Sequence, residues 1–206
     1  MKNYLIGISG GSGAGKTTIV KSLVNYYKNK TTVIELDSYY KDFSNLTFNY
    51  REKINFDHPE SFDHKMLKDH INLLLKNEKI KSPTYDYKKH KRKKLLKTIY
   101  PNKLIFVEGT LIFYFEEIVK FMSLKIFIHA KEKVRFKRRL NRDIIHRART
   151  KESIHEQYQK TVKPMYDEYV RPLKTEADLI ISGESELNDN RNKIIREIDS
   201  MIKGNL

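Results

Sequence analysis

The run Ile6-Gly7-Ile8-Ser9-Gly10-Gly11-Ser12-Gly13-Ala14-Gly15-Lys16-Thr17-Thr18 anchors everything else that can be read from this chain. From Gly10 to Thr17 it matches G-x-x-x-x-G-K-[ST], and five of the chain's eight glycines lie between residues 7 and 15. Backbone this rich in glycine can curl until its N–H groups point at phosphate oxygens. Lys16 supplies a mobile positive charge and Thr17 a hydroxyl for Mg²⁺. A helix starting near Lys16 adds the positive end of its dipole. The apolar residues 4–8 just before the loop read as a strand, and the spacing over 17–28 as a helix. Strand, glycine loop and helix, in that order, are the context such a phosphate site requires.

Outward from this unit, apolar runs at 32–36, 104–107, 124–128 and 178–181 read as further strands. Helical spacing is expected over 63–76, 110–121, 131–147, 151–170 and 188–202, with Pro164 kinking or dividing the fourth of these. Near-continuous apolar strands separated by helices imply a parallel sheet covered on both faces. Two segments break the rhythm. Residues 37–62 show little periodicity but carry Tyr39, Tyr40, Phe43, Phe48, Tyr50, Phe56 and Phe62, which argues for an ordered functional loop. Residues 79–100, with Pro83 and a basic middle, read as a hairpin appended to the main sheet.

The chain's 206 residues are enough for one domain, expected to span 1–206. There is no cysteine, which excludes disulfide scaffolds and cysteine metal sites. The longest apolar run, 104–115, is interrupted by Glu108 and Gly109, too short for a membrane span. No membrane partner and a cytoplasmic location are expected. A net charge of +15 points to anionic partners without choosing among nucleic acid, acidic lipid and phosphorylated small molecules.

Two carboxylates are placed to serve the loop. Glu108 ends one strand and is the expected partner of Thr17 in holding Mg²⁺. Asp37 ends another and can accept the proton of an attacking hydroxyl. In open α/β sheets, ligands bind at the edge where these residues fall. Nine basic residues lie between Lys131 and Arg149, and Arg135, Arg138, Arg139 and Arg142 recur three to four apart. Forked guanidiniums on one helical face suit a lid, about 131–150, closing over a phosphoryl group.

Together these residues resemble the uridine kinase (uridine–cytidine kinase) family. The likeness rests on I-G-I-S-G-G-S-G-A-G-K-T-T at 6–18, D-S-Y-Y-K-D at 37–42, N-F-D-H-P at 55–59, P-T-Y-D-Y-K-K-H at 83–90, V-E-G at 107–109, R-R-L-N-R-D at 138–143, Q-Y-Q-K-T-V-K-P-M at 157–165 and A-D-L-I-I at 177–181. The resemblance implies a doubly wound α/β P-loop kinase: a five-stranded parallel sheet flanked by helices, with the hairpin and the helical lid added. It implies transfer of the γ-phosphate of ATP or GTP to the 5′-hydroxyl of uridine or cytidine, with Mg²⁺, in pyrimidine salvage. Asp37 matches the family's catalytic base, with Lys16, Arg139 and Arg142 beside it. Gly10, Gly11, Ser12, Gly13, Ala14, Gly15, Lys16, Thr17 and Thr18 match its nucleotide loop, and Thr17 and Glu108 its metal positions. Tyr40, Phe56, Asp57, Tyr85, His90, Arg139, Arg149 and Gln157 match its substrate pocket. A homotetramer inhibited by CTP or UTP, with no nucleic-acid partner, is implied as well.

The chain departs from the family pattern in three places. His146-Arg147-Ala148-Arg149 replaces E-R-G-R, Ile128-His129-Ala130 replaces V-D-T, and P-R-G is absent around Ser182-Gly183-Glu184. Three other readings compete. One is a P-loop kinase acting on another small molecule, phosphoribulokinase-like or pantothenate kinase-like. Another is a nucleic-acid-binding ATPase. The last is a catalytically reduced binding protein.

Overall fold

The computed structural model describes residues 2–147 and 149–204. In chain order they form β1 (Tyr4–Ser9), α1 (Lys16–Tyr27), β2 (Thr31–Glu35), α2 (Phe48–Arg51), α3 (His64–Leu75), β3 (Ile80–Ser82), β4 (Tyr85–Asp86), β5 (Lys91–Arg92), β6 (Lys97–Ile99), β7 (Leu104–Glu108), α4 (Glu116–Val119), β8 (Met122–His129), α5 (Glu132–Arg147), α6 (Lys151–Gln157), α7 (Lys163–Met165), β9 (Leu179–Ser182) and α8 (Leu187–Lys203). Five strands make one parallel sheet in the order β2-β7-β1-β8-β9. All five are the strands expected from the sequence, shifted by a residue or two at their ends.

The strands read as apolar throughout because both faces are covered. Side chains alternate across the sheet. Leu5, Ile34, Ile105, Val107 and Phe127 share one core with Leu67, Ile71 and Leu74 of α3. Ile6, Ile8, Phe106, Ile126 and Ile128 share the other with Ile19, Val20 and Leu23 of α1 and Ile194 and Ile198 of α8. Each fully buried side chain of this kind contributes about 1.5–3 kcal/mol. At Phe106, which is fully buried, truncation to Ala would cost about 3–5 kcal/mol. The start of α3 is set locally, where the Asp63 carboxylate caps it by accepting from Met66 N–H at 3.1 Å.

The structure corrects two expectations and details a third. The helix expected over 110–121 shrinks to the single turn α4. Leu111, Ile112, Phe113, Phe115 and Ile118 are all buried, which one helical face cannot achieve, so the chain turns instead. The helix expected over 151–170 is interrupted around Pro164, which lies in the short α7. Stretches of π-helix at Tyr158–Val162 and Tyr166–Val170 flank α7, and the wider i→i+5 pattern accommodates the missing N–H and the ring. The hairpin region does not join the main sheet. It forms two separate antiparallel ladders, β3 with β6 and β4 with β5. Arg92 of β5 moors it, donating from Nε to Tyr40 O at 2.7 Å and from Nη2 to Asp63 Oδ2 at 3.1 Å. No helix among the described residues is long and apolar enough to cross a membrane.

Candidate active site

Strand register brings the first functional groups level. Ile8 of β1 and Glu35 of β2 both pair with Glu108 at the end of β7. Just beyond this line, β1 opens into the glycine loop and β2 into a 3₁₀ turn, Leu36–Tyr39, that carries Asp37. The loop's glycines are required by close packing. Gly13 has φ +80°, and a Cβ there would stand 2.3 Å from the main-chain oxygen of Arg135. Gly10 has φ +143°, and its Cβ would stand 2.3 Å from the oxygen of Ile128. Gly15 precedes α1, and no side chain caps the helix. Its first N–H groups therefore remain available to an anion.

Lys16 is buried in the curl, its Nζ donating to Gly10 O at 2.9 Å and Gly11 O at 3.2 Å. Burial pulls its pKa down, and the nearby Glu108 and Asp37 carboxylates pull it back. Thr17 Oγ1 donates to Glu108 Oε1 at 2.6 Å. Burial pushes the Glu108 carboxyl up, against Lys16 and the Thr17 hydroxyl. No cluster of three or more His, Cys, Asp or Glu that could hold a metal occurs among the described residues. Mg²⁺ is commonly bound through one or two protein oxygens plus phosphate and water. The Thr17–Glu108 pair offers such hard oxygen donors.

These groups form one wall of a cavity of about 230 Å³, lined also by Ser12 and Asp37. Another part of the lining comes from the 37–62 loop and the hairpin. It holds Tyr40, Phe56, Asp57, Tyr85 and His90. Arg139, Arg142, Arg149 and Gln157 join the lining from α5, α6 and the segment between them. Every residue expected to bind substrate or metal or to act in catalysis therefore meets in one place. Of the loop residues, Ser12, Lys16 and Thr17 face this cavity. Gly15 and Thr18 line a neighbouring hollow of about 240 Å³ with Arg138, Ile128, Ile181 and Asn190. Gly11 lies against Arg135 and Tyr166. A hollow of about 850 Å³ opens on the side of α5 and α6 around Phe136, Leu140 and His155, sharing no lining residue with the cavity.

Side-chain geometry refines several expectations. Phe56 stacks on His90 with ring centres 5.3 Å apart and planes at 17°, so this face of the Phe56 ring is already occupied. Tyr40 packs edge-on to Phe56 and flat on Phe62. Tyr85 Oη is buried without a protein partner. His90 has φ +49°, a strained conformation for a residue other than glycine. Burial and the Arg149 charge lower its pKa, which favours neutral imidazole. Asp57 accepts from Thr161 Oγ1 at 3.4 Å. Burial pushes its carboxyl up, against the Arg139 charge.

The four arginines expected on one helical face divide. Arg139 donates to Ser12 Oγ and Gln157 Oε1, both at 3.0 Å, and Arg149 also donates to Gln157 Oε1. Arg142 Nη2 reaches Ser12 Oγ at 3.5 Å. Arg135 points under the glycine loop, its guanidinium 3.7 Å from the Tyr166 ring centre. Arg138 donates to Gly183 O at 2.9 Å. The four stay within about 100° around the helix, so position along the axis divides them: Arg135 stands roughly 10 Å before Arg142, and its Nε donates to Ala130 O at 3.1 Å. Ala148, one of the family departures, lies outside the described residues.

Sequence reasoning passed over Glu35, Tyr87 and Arg147, which also line the cavity. Arg147 sits over the Tyr87 ring at 4.5 Å. Tyr87 lies inside the quoted P-T-Y-D-Y-K-K-H run and Arg147 inside the arginine-rich segment. Glu35 is one strand position before Leu36-Asp37, and nothing local marks it.

A phosphate loop at the end of the central strand of a parallel sheet, with a paired Thr and Glu and a ring of arginines, defines the class as a P-loop small-molecule kinase. The chain belongs to the phosphoribulokinase/uridine kinase family, whose profile matches residues 5–188. It is 42% identical over 182 residues to a uridine kinase of Clostridium novyi (strain NT), covering 88% of each protein. It is 41% identical over 181 residues to a uridine kinase of Geobacillus sp. (strain WCH70), covering 87% of this chain and 86% of that protein. The solved phosphoribulokinase from Rhodobacter spheroides shares the fold with a TM-score of 0.63. It does so at 13% identity over 88% of this chain and 70% of that one.

Proposed function

We propose that this chain transfers the γ-phosphoryl group of ATP or GTP to the 5′-hydroxyl of uridine or cytidine. The observation that carries the reading is the convergence of two unlike walls on one cavity. Lys16, Thr17 and Glu108 share the lining of that cavity with Tyr40, Asp57, Tyr85 and His90, and with Asp37.

In this reading the glycine loop and Lys16 hold the donor's phosphates. The Thr17–Glu108 pair would hold Mg²⁺, which when bound neutralises charge on the phosphate oxygens. Asp37 accepts the proton of the 5′-hydroxyl as its oxygen bonds to phosphorus and the bond to the β-phosphate oxygen breaks, releasing the nucleoside diphosphate. Arg139 and Arg142 neutralise the transferring group. Such transfers depend on positioning and charge more than on a strong base. Asp57 accepts hydrogen bonds from ribose hydroxyls. His90, neutral and able both to donate and to accept, reads the pyrimidine edge with Arg149 and Tyr85. The neighbouring hollow beside Thr18 and Arg138 takes the donor base. Assembly as a homotetramer, inhibition by CTP or UTP, a cytoplasmic location and a place in pyrimidine salvage belong to the same reading.

The test is a coupled phosphotransfer assay with Mg²⁺-ATP and, separately, uridine, cytidine, thymidine, ribulose 5-phosphate and no acceptor. UMP and CMP formation is expected. Phosphorylation of ribulose 5-phosphate alone would move the chain to the family's other branch. Polynucleotide-stimulated ATPase activity without nucleoside phosphorylation would replace the reading altogether.

A further inference from the structure

Asp143 of α5 lies behind the cavity and has no part in the mechanism above. It is fully buried, and three guanidiniums converge on it. Arg142 Nε lies 2.8 Å and Arg147 Nη1 3.5 Å from Oδ1, and Arg139 Nε lies 3.5 Å from Oδ2. Its main-chain oxygen accepts from Arg149 N–H at 3.3 Å. The helix explains the convergence, since Arg139 and Arg147 stand one turn before and one turn after Asp143. All four arginines line the cavity.

Which edge of each guanidinium is engaged matters most. Asp143 takes Arg142 by an Nε hydrogen bond and faces Arg139 Nε as an ion pair at 3.5 Å, those two atoms making no hydrogen bond among the described residues. The Nη atoms of both arginines point the other way, Arg139 to Ser12 and Gln157, and Arg142 to Ser12 of the glycine loop. Charge tells the same story. The lining carries Lys16 and four arginines against Glu35, Asp37, Asp57 and Glu108, and Asp143 evens the balance from outside. Burial pushes the Asp143 carboxyl up, but Arg142, Arg139 and Arg147 outweigh it and hold it below its ordinary value.

We propose that Asp143 is a positioning residue: it grips Arg139, Arg142 and Arg147 from behind and turns their free N–H groups toward the site of phosphoryl transfer. The proposal rests on the kinase reading of the cavity. Guanidiniums freed from this grip repel one another and rotate, and small misplacements of such groups cost about 10²-fold in rate.

The experiment is steady-state kinetics of Asp143→Asn with Mg²⁺-ATP and uridine, together with acceptor-free ATP hydrolysis, ATP affinity by calorimetry and thermal melting. The expected result is a fall in kcat of about 10–10²-fold with ATP affinity unchanged or tighter, because the cavity has become more positive. A kcat within threefold of the parent overturns the proposal. So does a parallel loss of kcat and ATP affinity that follows the folded fraction, which marks a purely structural role. Should the Asn variant fail to fold, Asp143→Glu decides. It keeps the charge but shifts the carboxylate by one methylene, so a severalfold loss of kcat at constant ATP affinity supports the proposal and parental kcat refutes it. Acceptor-free hydrolysis separates the two readings. A parent enzyme silent with every nucleoside defeats the proposed function, while the effect of Asp143 on hydrolysis still tests the positioning role.

Discussion

The two walls of the cavity are built by opposite means. In the proposed reading the donor wall is cut from regular elements: one loop, the first turn of α1 and the ends of adjacent strands place Lys16, Thr17 and Glu108. The proposed acceptor wall is cut from loops and an insertion. Tyr40, Phe56 and Asp57 come from a loop of little regular structure, Tyr85 and His90 from a hairpin outside the main sheet, and Gln157 from the end of α6. A wall cut from sheet and helix ends varies little from one phosphate-binding protein to another. A wall assembled from loops can be changed to suit the acceptor while the phosphate site stays intact. The donor wall therefore says what kind of chemistry occurs, and the acceptor wall says on what.

Substitutions should separate the two. Asp37→Asn, at the junction, is expected to lower turnover about 10²–10⁴-fold with uridine and cytidine alike. Near-parental turnover in the folded variant would remove Asp37 from the chemistry. On the donor side, Lys16→Met should cost about 10²–10³-fold in kcat, as expected for losing one electrostatic stabiliser of the transition state. Its effect should be the same for both nucleosides, and a loss confined to one of them would contradict the division into walls.

Asp57→Asn tests the acceptor side. Removing a charged hydrogen-bond acceptor should lower kcat/KM for uridine roughly 10–100-fold, with ATP affinity unchanged. The same change should raise stability at neutral pH. Burial raises the Asp57 pKa, so the ionised carboxylate is costlier folded than unfolded. That cost is fully present above the folded pKa and vanishes below the unfolded value near 4. Melting temperatures of parent and variant should therefore differ at pH 7 and converge as the pH falls toward 3. Asp143 carries the opposite sign. Its lowered pKa gives stability present above the unfolded value and lost as pH falls through the folded one.

The smallest effect is expected at Arg92, whose mooring joins the hairpin to Tyr40 and Asp63. Arg92→Ala should cost about 1–3 kcal/mol in denaturant unfolding, the range for a hydrogen-bonded charge. It should raise the KM for uridine severalfold and leave ATP affinity alone. An equal loss for ATP would mean that the hairpin supports both walls.

Asp57 and Glu108 show what each level of description could supply. Both are acids beside apolar residues in the sequence. Glu108 is legible because it ends an apolar strand and is followed by glycine, a pattern contained within a few residues. Asp57 carries no such mark, and only the resemblance to a family singled it out. The same holds for Glu35 and Arg147, which the cavity includes and sequence reasoning passed over. The helix expected over 110–121 failed for a related reason, since periodicity cannot register that five neighbouring apolar residues are all buried from different directions.

By itself the sequence determined the glycine loop, the five strands and the place of Glu108 at a strand end. These depend on backbone conformation, on alternation and on strand ends, all of which are properties of neighbouring residues. Only the tertiary structure decided that Arg139 and Arg142 face the cavity while Arg135 and Arg138 do not, that Phe56 is stacked on His90, and that Asp143 sits behind the arginines. Arg139 meets Ser12 across 127 residues of chain. Contacts of that reach depend on how whole elements pack, and no local pattern encodes which side of a helix will meet which loop.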